Sequence, residues 1–185
     1  VEDRTIRVVI STFLVVVPIL ALTILSGENL ASIYLKKGNL RKGLFIGGIA
    51  FIIFLVTAIP ASEIFGANPV TTDQLVLWAP WIIVFIMFNS LREELWFRGI
   101  FLRKYVAHFG EDPGNLLQAL LFGAAHLVFP ITMLNITGNL ILFILPFFIG
   151  LASGAAMYKT DSILAAFLIH AGADIPFLIA AFSMI

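Results

Sequence analysis

The chain contains no cysteine and few charged residues. The absence of cysteine from its 185 residues excludes disulfides, thiolate metal sites and a cysteine nucleophile. Only 12% of the residues are charged and the formal net charge is zero, so the chain lacks the basic surface that binds nucleic acid. It also lacks a His-Glu-x-x-His sequence and an internal repeat. Any chemistry therefore depends on a small number of carboxylates and imidazoles.

Apolar residues dominate the composition instead. They make up 61% of the chain, and the mean hydropathy is +1.06, whereas a soluble domain is roughly half apolar and a quarter charged. We therefore predict an all-α, multi-pass integral membrane protein embedded in a lipid bilayer. At about 20 residues per span, residues 1–185 allow about six transmembrane helices in a single domain.

The order of apolar runs and charged loops predicts the topology. The predicted spans cover residues 6–25, 44–59, 75–103, 115–129, 140–158 and 162–185. The loop at 36–42 is basic and the loop at 60–73 has no basic residue, which places the first in the cytoplasm. The uncharged link at 130–139 is expected to dip to membrane depth and line a cavity. Close helix packing is predicted at Gly43, Gly47, Gly48, Gly150 and Gly154.

Four charges lie within seven residues of the third predicted span, at Arg92, Glu93, Glu94 and Arg98. A carboxylate at membrane depth is costly without a partner or a function. Glu94 and Arg98 are four residues apart and can pair on a helix. Glu93 is then expected to have no local partner, which makes it the candidate reagent. The alternative is a solvated charge cluster just beyond the end of a membrane helix.

Each of the two histidines predicted at membrane depth belongs to a pair of residues spaced four apart. Phe122 precedes His126 by four residues, and His170 precedes Asp174 by four, so each pair shares one helical face. Counting from Arg103, Asn115 and Asp161 as the cytoplasmic helix ends, the glutamates and both histidines lie roughly 14–16 Å deep. A common depth predicts one site, which Phe122 could wall. The alternative is ordinary packing, and His108 is expected at the surface.

These residue types are compatible with several functions. A carboxylate and a neutral imidazole can deprotonate a water that attacks a peptide carbonyl, and a second imidazole can stabilise the oxyanion. His126, His170 and a carboxylate could instead bind zinc in a membrane metalloprotease. A non-catalytic scaffold or a proton-coupled transporter could also use buried carboxylates and imidazoles.

Three motifs resemble those of a known family. They are Glu93-Glu94-x-x-x-Arg98, Phe122-x-x-x-His126 and His170-x-x-x-Asp174. Together they resemble the signature of the CPBP family, which comprises type II CAAX prenyl endopeptidases and bacteriocin-processing proteins. The resemblance covers residues 89–185. Because family members often have about eight helices, it leaves room for flanking helices outside this chain.

The resemblance implies an intramembrane glutamic protease with a conical cavity open to the cytoplasm and no metal. Its substrate would be a protein or peptide, prenylated or not, cleaved near its C-terminus; the alternative is a bacteriocin-immunity protein. Glu93 and His126 would activate water, and His170 and Asp174 would lie on the oxyanion side. Supporting positions would be Glu94, Arg98 and Phe122. Many members carry asparagine in place of Asp174, and an ionised aspartate has no proton to donate.

Overall fold

The computed structural model describes residues 1–127 and 136–185, and every regular element in those ranges is helical. The α-helices are α1 (Glu2–Leu25), α2 (Leu40–Val56), α3 (Ala58–Ile64), α4 (Thr72–Glu94), α5 (Arg103–Phe109), α6 (Glu111–Ala125), α7 (Ile136–Thr160) and α8 (Leu164–Ser183). A 3₁₀ turn at Leu30–Ile33 follows α1, and a π-helix at Leu95–Leu102 joins α4 to α5. The predicted all-α class therefore holds for the described part of the chain.

The structure describes fewer candidate membrane-spanning helices than the six that the sequence predicts. In the described ranges, four helical segments are long and apolar enough to cross a membrane: Glu2–Leu25, Thr72–Phe109, Leu140–Thr160 and Leu164–Ser183. A fifth span results if α2 and α3, which are bent by 72°, are counted together. The described residues therefore account for four or five of the roughly six spans predicted, and multiple long apolar helices support an integral membrane protein.

The difference lies in α6, which the sequence predicted as the fourth span. It has 15 residues, or about 22 Å of helix, against a hydrocarbon core of about 30 Å. Gly110 precedes it with φ +85°, a conformation that glycine adopts without steric cost. The predicted link at 130–139 falls mainly on residues 128–135, which lie outside the described ranges, and its remaining residues belong to α7.

α8 is the most buried of the long helices and lies at the centre of the bundle. It packs against α2, α3, α4 and α7. Apolar side chains of α4 and α8 form the largest buried cluster, which includes Trp78, Phe85, Ile175 and Phe182. This packing brings the polar face of α4 against the face of α8 that carries His170.

Close approach at glycines explains part of the packing. A Cβ at Gly47 would lie 2.8 Å from the Leu168 Cβ of α8, whereas nothing lies within 4 Å of the same position at Gly48. A Cβ at Gly150 of α7 would lie 3.0 Å from the Ala119 Cα of α6. Close packing is therefore confirmed at Gly47 and Gly150 and absent at Gly48.

Long-range polar contacts assemble the basic segments at one end of the bundle. Lys36 pairs with Asp161 at 2.6 Å, and Arg103 pairs with Glu28 at 3.0 Å. The opposite end is joined by the backbone N–H of Asn68, which donates to Ser183 Oγ at 2.9 Å.

Candidate active site

One long helical segment carries the acidic pair. α4 begins with a capping box in which Thr71 and Gln74 satisfy each other's backbone N–H groups, which sets the start of the helix. Its last two residues are Glu93 and Glu94, and the chain continues directly into the π-helix. π-helical segments are rare and occur frequently at functional sites.

Glu94 and Arg98 form a fully buried ion pair. The Arg98 NH1 donates to Glu94 Oε1 at 2.8 Å, and both side chains are 0% exposed. The same oxygen accepts from Nδ1 of His170 at 2.7 Å. Because a carboxylate only accepts, His170 carries a proton on Nδ1, and its Nε2 is directed away from Glu94. The predicted Glu94–Arg98 pair is thus confirmed, and it also orients an imidazole.

Glu93 has a local partner, contrary to expectation. The Arg92 NH2 donates to Glu93 Oε1 at 2.7 Å. Consecutive residues do not face each other on a helix, but the long arginine side chain folds back to reach its neighbour. The other oxygen, Oε2, is buried and makes no hydrogen bond to the described residues. It lies 4.0 Å from Nε2 of His126 and 3.7 Å from Nε2 of His170.

His126 lies directly after the end of α6 and approaches Oε2 of Glu93, the oxygen that Arg92 does not contact. Its Nδ1 lies 2.8 Å from the carbonyl oxygen of Phe122. A carbonyl only accepts, so Nδ1 is the donor, and Nε2 is the ring nitrogen that faces Glu93. α6 itself is held against α7 by the buried Gln118, whose Nε2 donates to the Gly150 carbonyl at 2.8 Å.

Asp174 lies one turn beyond His170 on α8. Its Oδ1 is 3.6 Å from Nε2 of His170, and its Oδ2 accepts from Nδ2 of Asn89 at 2.9 Å. Asp174 is therefore placed between an imidazole and an amide from α4. Its side chain is 14% exposed, compared with 3% for His170.

Phe122 packs among the charged and titratable groups. Its ring centroid lies 4.1 Å from the Arg98 guanidinium carbon, 4.6 Å from the His126 ring and 5.4 Å from the His170 ring. The guanidinium gains cation–π attraction from the ring face. The ring thus contacts both imidazoles, and its role as a wall of the site stays a prediction.

The structure therefore brings together all seven side chains that the sequence selected. That they are catalytic stays a prediction. His108 lies apart from the site, on exposed α5, where its Nδ1 contacts the Lys104 carbonyl. Within residues 1–127 and 136–185, no group of three His, Asp or Glu side chains has the arrangement of a metal site.

Sequence reasoning gave no role to Asn89 and Arg92, which contact this cluster, or to Ser11, which contacts Arg92. A signal existed for two of them, because Asn89 and Arg92 are three residues apart and share a helical face with each other. No local signal existed for Ser11, which is 81 residues away from Arg92.

The arrangement can perform acid–base chemistry on a water. A water at hydrogen-bond distance from both Glu93 Oε2 and His126 Nε2, roughly 2.8 Å from each, fits the 4.0 Å separation of these atoms. Both atoms would accept its protons, which would orient an oxygen lone pair outward. Glu93, His126 and Asp174 are partly accessible members of the cluster, with 17%, 31% and 14% of their side chains exposed.

A comparison with protein families agrees with the motifs. Residues 75–176 match the family described as Type II CAAX prenyl endopeptidase Rce1-like. No curated protein and no solved structure matches the chain significantly. The matched region is more than half of the chain and contains every motif residue. The chain therefore belongs to the family of type II CAAX prenyl endopeptidase Rce1-like proteins, and its relationship to the CPBP proteases is confirmed.

Proposed function

We propose that this chain is an intramembrane endopeptidase in which Glu93 and His126 activate a water to hydrolyse a peptide bond. One observation carries the proposal: Glu93 Oε2, buried and not hydrogen-bonded to the described residues, faces Nε2 of His126 at 4.0 Å and Nε2 of His170 at 3.7 Å. Family membership, which implies a protease, supports the same reaction class.

In this mechanism Glu93 Oε2 takes one proton from the water, while Nε2 of His126 accepts a hydrogen bond from the O–H that remains. The water oxygen forms a bond to the carbonyl carbon, and the carbonyl becomes an oxyanion. Collapse of this intermediate breaks the C–N bond. The proton held by Glu93 goes to the leaving nitrogen, so the products are a carboxylic acid and an amine.

His170 is proposed as the oxyanion donor. Its Nδ1–H is committed to Glu94, so donation to an oxyanion requires a second proton on Nε2. The charge of the cluster favours that state, because three carboxylates (Glu93, Glu94, Asp174) face only two guanidiniums (Arg92, Arg98). A protonated His170 makes the cluster neutral. An oxyanion donor in a water-poor site contributes strongly to catalysis.

The proposal needs no metal ion. A divalent cation at Glu93 would lie close to the Arg92 guanidinium, which is 2.7 Å from Glu93 Oε1, and like charges at such distances repel strongly in a weakly screened site. Glu94 is likewise neutralised by Arg98.

The site is proposed to face the cytoplasm. The end of the bundle nearer to it carries most of the basic residues: Lys36, Lys37, Arg41, Lys42, Arg103, Lys104 and Lys159. An excess of lysine and arginine marks the cytoplasmic side. Glu93 precedes Arg103 by ten residues, or roughly 15 Å of helix. The substrate is then a protein or peptide whose C-terminal region reaches the cytoplasmic leaflet.

The proposal is tested with purified protein in nanodiscs and an internally quenched peptide ending in a CAAX sequence, in farnesylated and unmodified forms. Glu93→Gln and His126→Ala are each expected to abolish cleavage while leaving the thermal unfolding profile close to wild type. His108→Ala is the matched control, because this histidine lies outside the cluster, and it should retain full activity.

Full cleavage by Glu93→Gln would refute the mechanism. If wild type and Glu93→Gln bind the peptide equally well, and neither of them cleaves the farnesylated or the unmodified peptide, the protein is instead a scaffold or immunity protein. The comparison of farnesylated and unmodified peptides shows whether the prenyl group contributes to recognition.

A further inference from the structure

Helix α1 lies outside the region matched by the family model, yet it contacts the candidate active site through one side chain. Ser11 Oγ lies 2.5 Å from NH1 of Arg92 and accepts its proton. Ser11 also donates to the Val8 carbonyl at 2.9 Å, so its hydroxyl is fixed as an acceptor for the guanidinium. This contact is the polar link between α1 and the charged cluster.

Arg92 distributes its remaining donors over the reactive side of the site. NH2 donates to Glu93 Oε1 at 2.7 Å and to Asn89 Oδ1 at 2.6 Å. Asn89 in turn donates to Asp174 at 2.9 Å. A continuous series of hydrogen bonds therefore runs from α1 through α4 to α8, and it ends on two carboxylates.

We propose that Arg92, anchored by Ser11 of α1, is a positioning residue that orients Glu93 and, through Asn89, Asp174. By holding Oε1 of Glu93, Arg92 leaves Oε2 as the oxygen that faces both imidazoles. A planar guanidinium can hold three acceptors in one fixed geometry, which an ammonium cannot do. This inference rests on the proposed protease function.

Small displacements of a catalytic group lower the rate more than substrate binding. We expect Arg92→Lys to lower kcat by roughly 10- to 100-fold with KM changed by no more than about twofold. Ser11→Ala should lower kcat in the same way but less, and Ser11→Thr, which keeps the hydroxyl, should restore the rate.

Thr12→Val is the matched control. Thr12 is adjacent to Ser11 and also joins α1 to α4, but its hydroxyl contacts the Phe88 carbonyl at 3.0 Å rather than Arg92. Its rate should stay close to wild type. If Ser11→Ala equals wild type or merely matches Thr12→Val, the proposed anchoring is wrong.

A second test exchanges the amide and the carboxylate. Asn89→Asp places two carboxylates side by side and should lower both the unfolding temperature and kcat. Asn89→Asp combined with Asp174→Asn restores one donor and one acceptor, so the unfolding temperature should recover in the double variant. Failure of this recovery would overturn the proposed link. Glu93→Gln, assayed in the same preparation, separates the two proposals: if it is inactive while the Arg92 and Ser11 variants are normal, only the positioning role fails.

Discussion

Replacing Arg98 with methionine removes one member of a fully buried ion pair. Among the described residues, the Glu94 carboxylate would then keep only the Nδ1–H of His170 as a partner, at 2.7 Å. Neither side chain of the original pair is exposed. Breaking a buried pair on one side costs about 3–5 kcal/mol, because an uncompensated charge stays buried. The loss of the Phe122 contact acts in the same direction. We therefore expect Arg98→Met to be destabilised by an amount in this range.

The assay is reversible unfolding in detergent, with a double-mutant cycle. Glu94→Gln combined with Arg98→Met removes both charges and should recover more than half of the lost stability, since a neutral amide is cheaper to bury than a carboxylate. Arg103→Met is the control. Its pair with Glu28 has a similar length, 3.0 Å, but its side chains are 40% and 45% exposed, so the cost should be about 0–1 kcal/mol. Equal losses for Arg98→Met and Arg103→Met would refute the reasoning, because they would mean that water screens the buried pair.

Three further predictions concern packing and metal dependence. Gly47→Ala should destabilise the protein by about 1–3 kcal/mol, because the new methyl would meet Leu168. Gly48→Ala has open space and should be neutral or stabilising. Equal effects of the two variants in unfolding measurements would contradict this. Phe122→Ala should cost about 3–5 kcal/mol and strongly reduce cleavage, and a fully active variant would show that the ring does not hold the imidazoles. Cleavage should be unchanged by a zinc chelator, and an activity lost to the chelator and restored by added zinc would refute the metal-independent mechanism.

The sequence alone determined the membrane class and the shortest-range part of the site. Composition demanded an apolar environment, because a soluble fold cannot cover that much apolar surface. The Glu94–Arg98 pair was predictable since four residues along a helix return to the same face. The three motifs also selected the residues that the structure brings together, although their roles stay predictions.

The number of spanning helices and the partners of the reactive groups were decided only by the tertiary structure. The α6 sequence is apolar, but the helix ends too early to span a membrane. Local hydropathy does not reveal where a helix ends. Sequence spacing left Glu93 unpaired, whereas the folded chain gives it Arg92, held from α1 by Ser11. The proton position on His170 likewise depends on Glu94, an acceptor that packing supplies. The contacts of Ser11 with Arg92 and of His170 with Glu94 join residues distant in sequence. No local period encodes them, and they determine which atoms face each other in the site.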